Sequence, residues 1–275
     1  HNTAADMGGA VFTETSGKIE FHDIELNNNQ AGRGGGIYLQ SVEEKIYTKI
    51  YNANIHDNSV TGNGGGIYLN GGGKSGAATD MNNSRVCNNF SGKDGGGIFA
   101  VSSALLNLRG GSVSNNTCAA GGGGGIRATS STSVGILSSQ TPFYINGNIA
   151  DLGGGISASG TFMVNSSCEI QENTARKAGG GVYIDYIYGW CIFNRTTITN
   201  NKAPRGGGIC LNKKNNDNRE LELSEGTTII GNTSSEDGSQ SNLYLHEGRK
   251  FQLRKGLTGS ERIGVSVEKT PTFAD

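Results

Sequence analysis

Gly34-Gly35-Gly36-Ile37-Tyr38-Leu39 recurs verbatim as Gly64-Gly65-Gly66-Ile67-Tyr68-Leu69 and, with one or two changes, at 95–100, 123–128, 153–158, 179–184 and 206–211. A frayed copy, Gly8-Gly9-Ala10-Val11-Phe12, stands before them, and a glycine-free one, Asn242-Leu243-Tyr244-Leu245, stands after. The aliphatic markers Val11, Ile37, Ile67, Ile98, Ile126, Ile156, Val182, Ile209 and Leu243 follow one another at intervals of 26 to 34 residues. A period of that size signals a solenoid, in which each repeat is one turn that cannot bury its apolar face alone.

Upstream of each glycine block from the second onward stands an aliphatic residue, two variable residues and an asparagine, ending at Asn29, Asn58, Asn89, Asn116, Asn148, Asn173 and Asn201, and again at Asn232 before the glycine-free copy. The aliphatic residue is expected to point into a core at the end of a short strand. The asparagine is expected at the next corner, in a left-handed conformation that it tolerates, with the eight amides stacked as a ladder. About eight residues further on, three glycines allow a tight corner and close passage of one turn over the next. Alternation then places Ile37 and Leu39 on one face and Tyr38 on the other. At least one more β-like segment per repeat (Leu105 to Leu108, Thr161 to Val164) and the lack of any amphipathic helical stretch predict an all-β fold: a right-handed parallel β-helix of about nine rungs.

The repeat spans 8–245 of 275 residues, which predicts a single domain over 1–275, with alternating stretches in 246–275 as C-terminal capping strands. The residues before the first repeat are too few for a cap, and the chain reads as a segment of a larger surface protein. The formal net charge of −1, with dispersed Lys and Arg, offers no basic stripe for nucleic acid. No run of ~18 apolar residues is present to span a bilayer as a helix. Five cysteines without C-x-x-C spacing read as small buried thiols, one adjacent-rung pair of which could be bridged.

The paired glycine and asparagine blocks resemble the repeats of the polymorphic outer-membrane-protein family, whose signatures are a Gly-Gly-Ala-Ile-like and a Phe-x-x-Asn-like block. The aromatic of the second is here Ile, Val or Leu. The resemblance implies a secreted or cell-surface bacterial β-helix, often adhesive, within the wider pectate-lyase-like superfamily.

Two surfaces are expected to bind. The outward residues of the glycine strand form a stripe, Phe12, Tyr38, Tyr68, Phe99, Arg127, Ser157, Tyr183, Cys210 and Tyr244, and its aromatic part either stacks on sugar or protein or serves as a self-stabilising ladder. Inserts at 41–48, 70–80, 129–141, 185–190 and 212–219 share one point of the repeat and are expected on one wall. Among them Asp185-Tyr186-Ile187-Tyr188-Gly189-Trp190 gathers three aromatics. The ligand expected is a carbohydrate or a protein, with no cofactor and no metal. An enzyme on this scaffold, a polysaccharide lyase or glycoside hydrolase, needs clustered carboxylates. Asp23 and Asp57, after His22 and His56 on adjacent rungs, are the pair that could approach, although Asp is also an ordinary turn former. A structural stalk is the remaining alternative.

Overall fold

The computed structural model describes residues 1–15, 17–42, 47–72, 78–185, 189–212, 221–254 and 263–267. Among these there is no helix, and strands from successive repeats pair in parallel, so the chain is a parallel β-helix. Its first sheet stacks Val11–Thr15, Ile37–Ser41, Ile67–Asn70, Ile98–Val101, Ile126–Ala128, Ile156–Ala158, Val182–Ile184, Ile209–Leu211, Leu243–Leu245 and Val265–Val267. The register sets marker on marker: Val11 on Ile37, Ile37 on Ile67, and so on to Ile209 on Leu243. All nine sequence markers therefore fall in one column, and Val265 adds a tenth level.

A second sheet carries the longer side of each turn. Leu105–Ser114 runs through it unbroken, while the next turns divide the same side into pairs such as Ser133–Ile136 and Phe143–Asn146. The expected insert at 129–141 is thus partly strand: Ser133–Ile136 pairs with Leu105–Ser114. A third sheet of short strands, Gln30–Ala31 to Thr233–Ser234, closes the turn between the asparagine corner and the glycines. Phe251–Leu253 and Val265–Val267, expected as end strands, join the second and first sheets in register.

The core is a column of side chains from all turns. Ile37, Ile67, Ile98, Ile126, Ile156, Val182 and Ile209 are fully buried, and Ile55, Val86, Val113, Ile145, Ile170, Ile198 and Ile229 from the asparagine signature pack against them. At ~1.5–3 kcal/mol for each such side chain, stacking supplies what one turn lacks against its ordering entropy.

The block Gly123-Gly124-Gly125 shows why three glycines recur. Gly123 has φ +72°; a Cβ on Gly124 would lie 2.4 Å from the Gly154 carbonyl oxygen; one on Gly125 would lie 3.1 Å from the Asn148 amide nitrogen. The first position needs a left-handed backbone, the second a close approach of turns, the third room for an asparagine side chain.

That asparagine belongs to a continuous ladder. In Asn116, the backbone N–H and Nδ2 both donate to Asn148 Oδ1, at 2.9 and 3.0 Å, and Nδ2 also donates to the Val86 carbonyl at 2.9 Å. The same arrangement runs through Asn29, Asn58, Asn89, Asn116, Asn148, Asn173, Asn201 and Asn232. It extends past the eight expected members to Asn2 before them and Asn242 after. One detail differs from expectation. The left-handed residue is the one preceding each ladder asparagine, as at Asn28, Asp57, Asn88, Asn115, Glu172 and Asn200, with glycine at Gly147 and Gly231. Positive φ there turns the next side chain inward, where its amide meets backbone groups of two other turns.

Candidate functional site

The aromatic stripe is present but closed. Tyr38, Tyr68 and Phe99 are 2%, 7% and 6% exposed, whereas Phe12 at the end of the row is 47% exposed. Tyr38 and Tyr68 stack with centroids 4.6 Å apart and planes 11° apart, and Tyr68 meets Phe99 at 5.0 Å. Met7 and Val101 pack against the cluster, and the Arg33 guanidinium sits 6.0 Å from the Tyr38 ring centre. Rings one rung apart cover each other's faces, so the expectation that these three offer a face to a ligand is corrected: they form the self-stabilising ladder.

Past Phe99 the same column changes character. Arg127 donates to the Ser157 hydroxyl at 2.7 Å, and then Tyr183, Cys210 and Tyr244 follow with Leu152 and Ala178 beside them. Here the surface opens into a recess of about 190 Å³. Its polar lining is Lys177, Tyr183, Arg205, Asn212, Tyr244 and His246. Asp185 stands next to it, accepting from Asn212 Nδ2 at 2.8 Å. Burial pushes the Cys210 thiol up to about 12 despite the opposing pull of Arg205 and Arg249, so it stays protonated at neutral pH.

The charge beside the recess arises from an irregularity in the third sheet. Between Thr174–Ala178 and Ile149–Leu152 the register shifts, so that Arg176 and Lys177 stand against the single residue Asp151. Lys177 Nζ reaches Asp151 at 2.8 Å and Arg176 at 3.2 Å. These two cations, Lys177 foremost, hold the Asp151 carboxyl below its ordinary range.

On the insert wall, Trp190 is 53% exposed, and its backbone is fixed by Phe162, which donates to the Trp190 carbonyl at 2.7 Å. Tyr186 and Tyr188 lie outside the described residues, as does most of the 212–219 insert. Tyr47 is exposed further along the same sheet.

Asp23 and Asp57 do not meet. Asp23 accepts from Asn52 at 2.9 Å in the bend between two strands of the second sheet, whereas Asp57 occupies the left-handed position before Asn58. The register pairs His22 with Tyr51 but His56 with Asn27, which puts the two acids at successive bends of the turn and removes them as a general acid and base pair. The Asp57 carboxylate instead accepts from His56 Nδ1 at 2.6 Å, and Glu25 lies 3.0 Å from Nε2. Among the described residues no three His, Cys, Asp or Glu side chains gather as a metal site. All five cysteines are free, so no adjacent-rung pair is bridged.

Sequence reasoning found the columns and missed the recess. Its signal is the pair of cations ahead of consecutive glycine blocks, Lys177 and Arg205, which read as dispersed charge until the turns are stacked.

Residues 23–40 match the Chlamydia polymorphic membrane protein repeat. That stretch holds Leu26-Asn27-Asn28-Asn29 and Gly34-Gly35-Gly36-Ile37, the two elements that build the ladder and the glycine corner. No curated protein and no solved structure matches the chain.

Proposed function

We propose that this β-helix, which carries a polymorphic-membrane-protein-type repeat, is a surface-displayed, adhesin-like segment that holds side chains on a stiff rod for contact with a glycan or protein. The observation that carries the reading is Trp190, a residue 53% exposed whose backbone is tied to the second sheet by the Phe162 N–H. Trp is the residue type most enriched among binding hot spots, and a fixed backbone lowers the ordering entropy of contact.

A glycan-array screen of the chain beside Trp190→Ala, with the fold checked by circular dichroism, tests it. Binding that the variant loses is the expected result. Turnover of a bound glycan would replace this reading with a lyase or hydrolase, and the absence of binding to glycans or host-surface proteins would leave a structural stalk.

A further inference from the structure

We infer that the recess around Arg205 is a binding site for a terminal acidic sugar, a single ring bearing a carboxylate. This rests on the reading of the chain as a surface-binding segment and names the class of ligand.

The repeat supplies an internal comparison. Arg33 and Arg205 both stand immediately before the first glycine of a block. Arg33 is doubly engaged: Asp6, two residues before the glycine block of the preceding turn, pairs with its guanidinium at 2.9 Å, and the Tyr38 ring lies beneath it. At the corresponding place before Arg205 the preceding turn presents Lys177, another cation, and in place of Tyr38 stands Cys210. Lys177 takes its counter-charge from Asp151 one turn further back, where Arg176 shares it. Two cations thus already share that one carboxylate. Among the described residues Arg205 has no acid partner, and its side chain lines the recess with Lys177.

The remaining lining suits a sugar. A guanidinium is a planar fork matched to a carboxylate. Tyr244, half-buried, gives a ring edge and a phenol, and the Asn212 amide, held by Asp185, has hydrogen-bonding capacity left for hydroxyls. The volume of about 190 Å³ lies below the ~300–1,000 Å³ of drug-sized pockets and fits one ring rather than a chain of them.

The test is calorimetry on the purified chain with sialyllactose, a glucuronic-acid-terminated disaccharide, lactose as the neutral control, and an acidic peptide, for the native chain, Arg205→Ala and Arg205→Glu. Arg205 is exposed, so both variants are expected to melt where the native chain does. The expected result is binding of the two acidic sugars but not lactose, weakened about tenfold or more by Arg205→Ala, abolished by Arg205→Glu, and falling with added salt. Undiminished binding by Arg205→Glu, capture of the peptide in place of the sugars, or no binding of either acidic sugar would overturn the site. If the array still shows ligands that depend on Trp190, the inference fails while the surface-binding reading stands; if neither the array nor host-surface proteins bind, both fall.

Discussion

The side-chain oxygen of Asn242 accepts both the backbone N–H and Nδ2 of Asn232, each at 3.0 Å. It does so from the place in the repeat where Gly208 and the third glycines before it stand. In the earlier turns that glycine leaves room for the amide of the next corner, as Gly208 does for Asn232, 2.9 Å from where a Cβ would be. At Asn242 the residue's own amide enters the space, and the ladder ends on a satisfied acceptor. Asn242→Ala is expected to leave two buried donors of Asn232 without it, a loss of about 2 kcal/mol. Urea unfolding, with hydrogen exchange at Asn232, measures this; an unchanged midpoint would show that another group closes the ladder.

The interior of the ladder should be costlier to break than its ends. Asn116 is fully buried and serves as acceptor for the Asn89 N–H and Nδ2 and as donor to Val86 and Asn148. Asn116→Ala is expected to destabilise the chain by ~3–5 kcal/mol, because several buried groups lose partners at once. Asn2→Ala removes only the Nδ2 bond to Asn29 at the exposed start of the row, leaving the backbone one, and should cost under ~1 kcal/mol. Equal losses for the two variants would argue against a cooperative ladder.

The glycines divide by what surrounds them. Gly124→Ala drives a Cβ to 2.4 Å from the Gly154 oxygen and 2.6 Å from the Ile149 nitrogen, both backbone, so the turns must separate and loss of soluble folded protein is expected. Gly238 has φ +74° with open space around it, and Gly238→Ala should cost only the ~1–2 kcal/mol of a left-handed alanine. Thermal melts of the two variants decide whether close approach, rather than positive φ, makes the block indispensable.

The columns were legible because repetition writes them into the sequence: the interval between markers fixes the stacking, and Ile-x-x-Asn fixes the ladder. What lies on an outward column was not legible in the same way. Tyr38 and Tyr68 occupy the position expected of them, yet their exposure depends on Met7, Val101 and the rings one turn away. Asp23 and Asp57 look equivalent after their histidines, but His22 pairs with Tyr51 and His56 with Asn27, so the two acids stand at successive bends of the turn. The recess needs a register shift between Ala150 and Leu152 that no local pattern announces.

Thiol ionisation should limit stability at alkaline pH. Burial pushes Cys118, Cys191 and Cys210 up to about 12 and Cys168 higher still, from 9.0. Because the native thiols hold their protons where unfolded ones have lost them, their stabilising contribution is whole below pH 9 and declines through the interval up to 12. The loss is at most ~1.4 kcal/mol per thiol for each pH unit above the unfolded value. Urea midpoints between pH 8 and pH 11 should fall, and Cys191→Ala/Cys210→Ala should flatten the decline. An aryl disulfide at pH 8 is expected to label Cys87, the half-buried one, well before the other four.

His56 should titrate above the ordinary histidine range, since Asp57 first and Glu25 second bond its ring and favour the imidazolium. Both carboxylate partners are exposed to solvent, so the effect belongs in a titration curve rather than in an energy. Its contribution is present below pH 6.5 and is lost as pH rises through the raised folded value. Proton NMR of the ring should place the midpoint above 6.5, and Asp57→Asn should bring it down further than Glu25→Gln does. A native midpoint at or below 6.5 would mean that neither carboxylate holds the ring in solution. A larger fall with Glu25→Gln would mean that the contact between turns, not the one within the corner, sets the charge of His56.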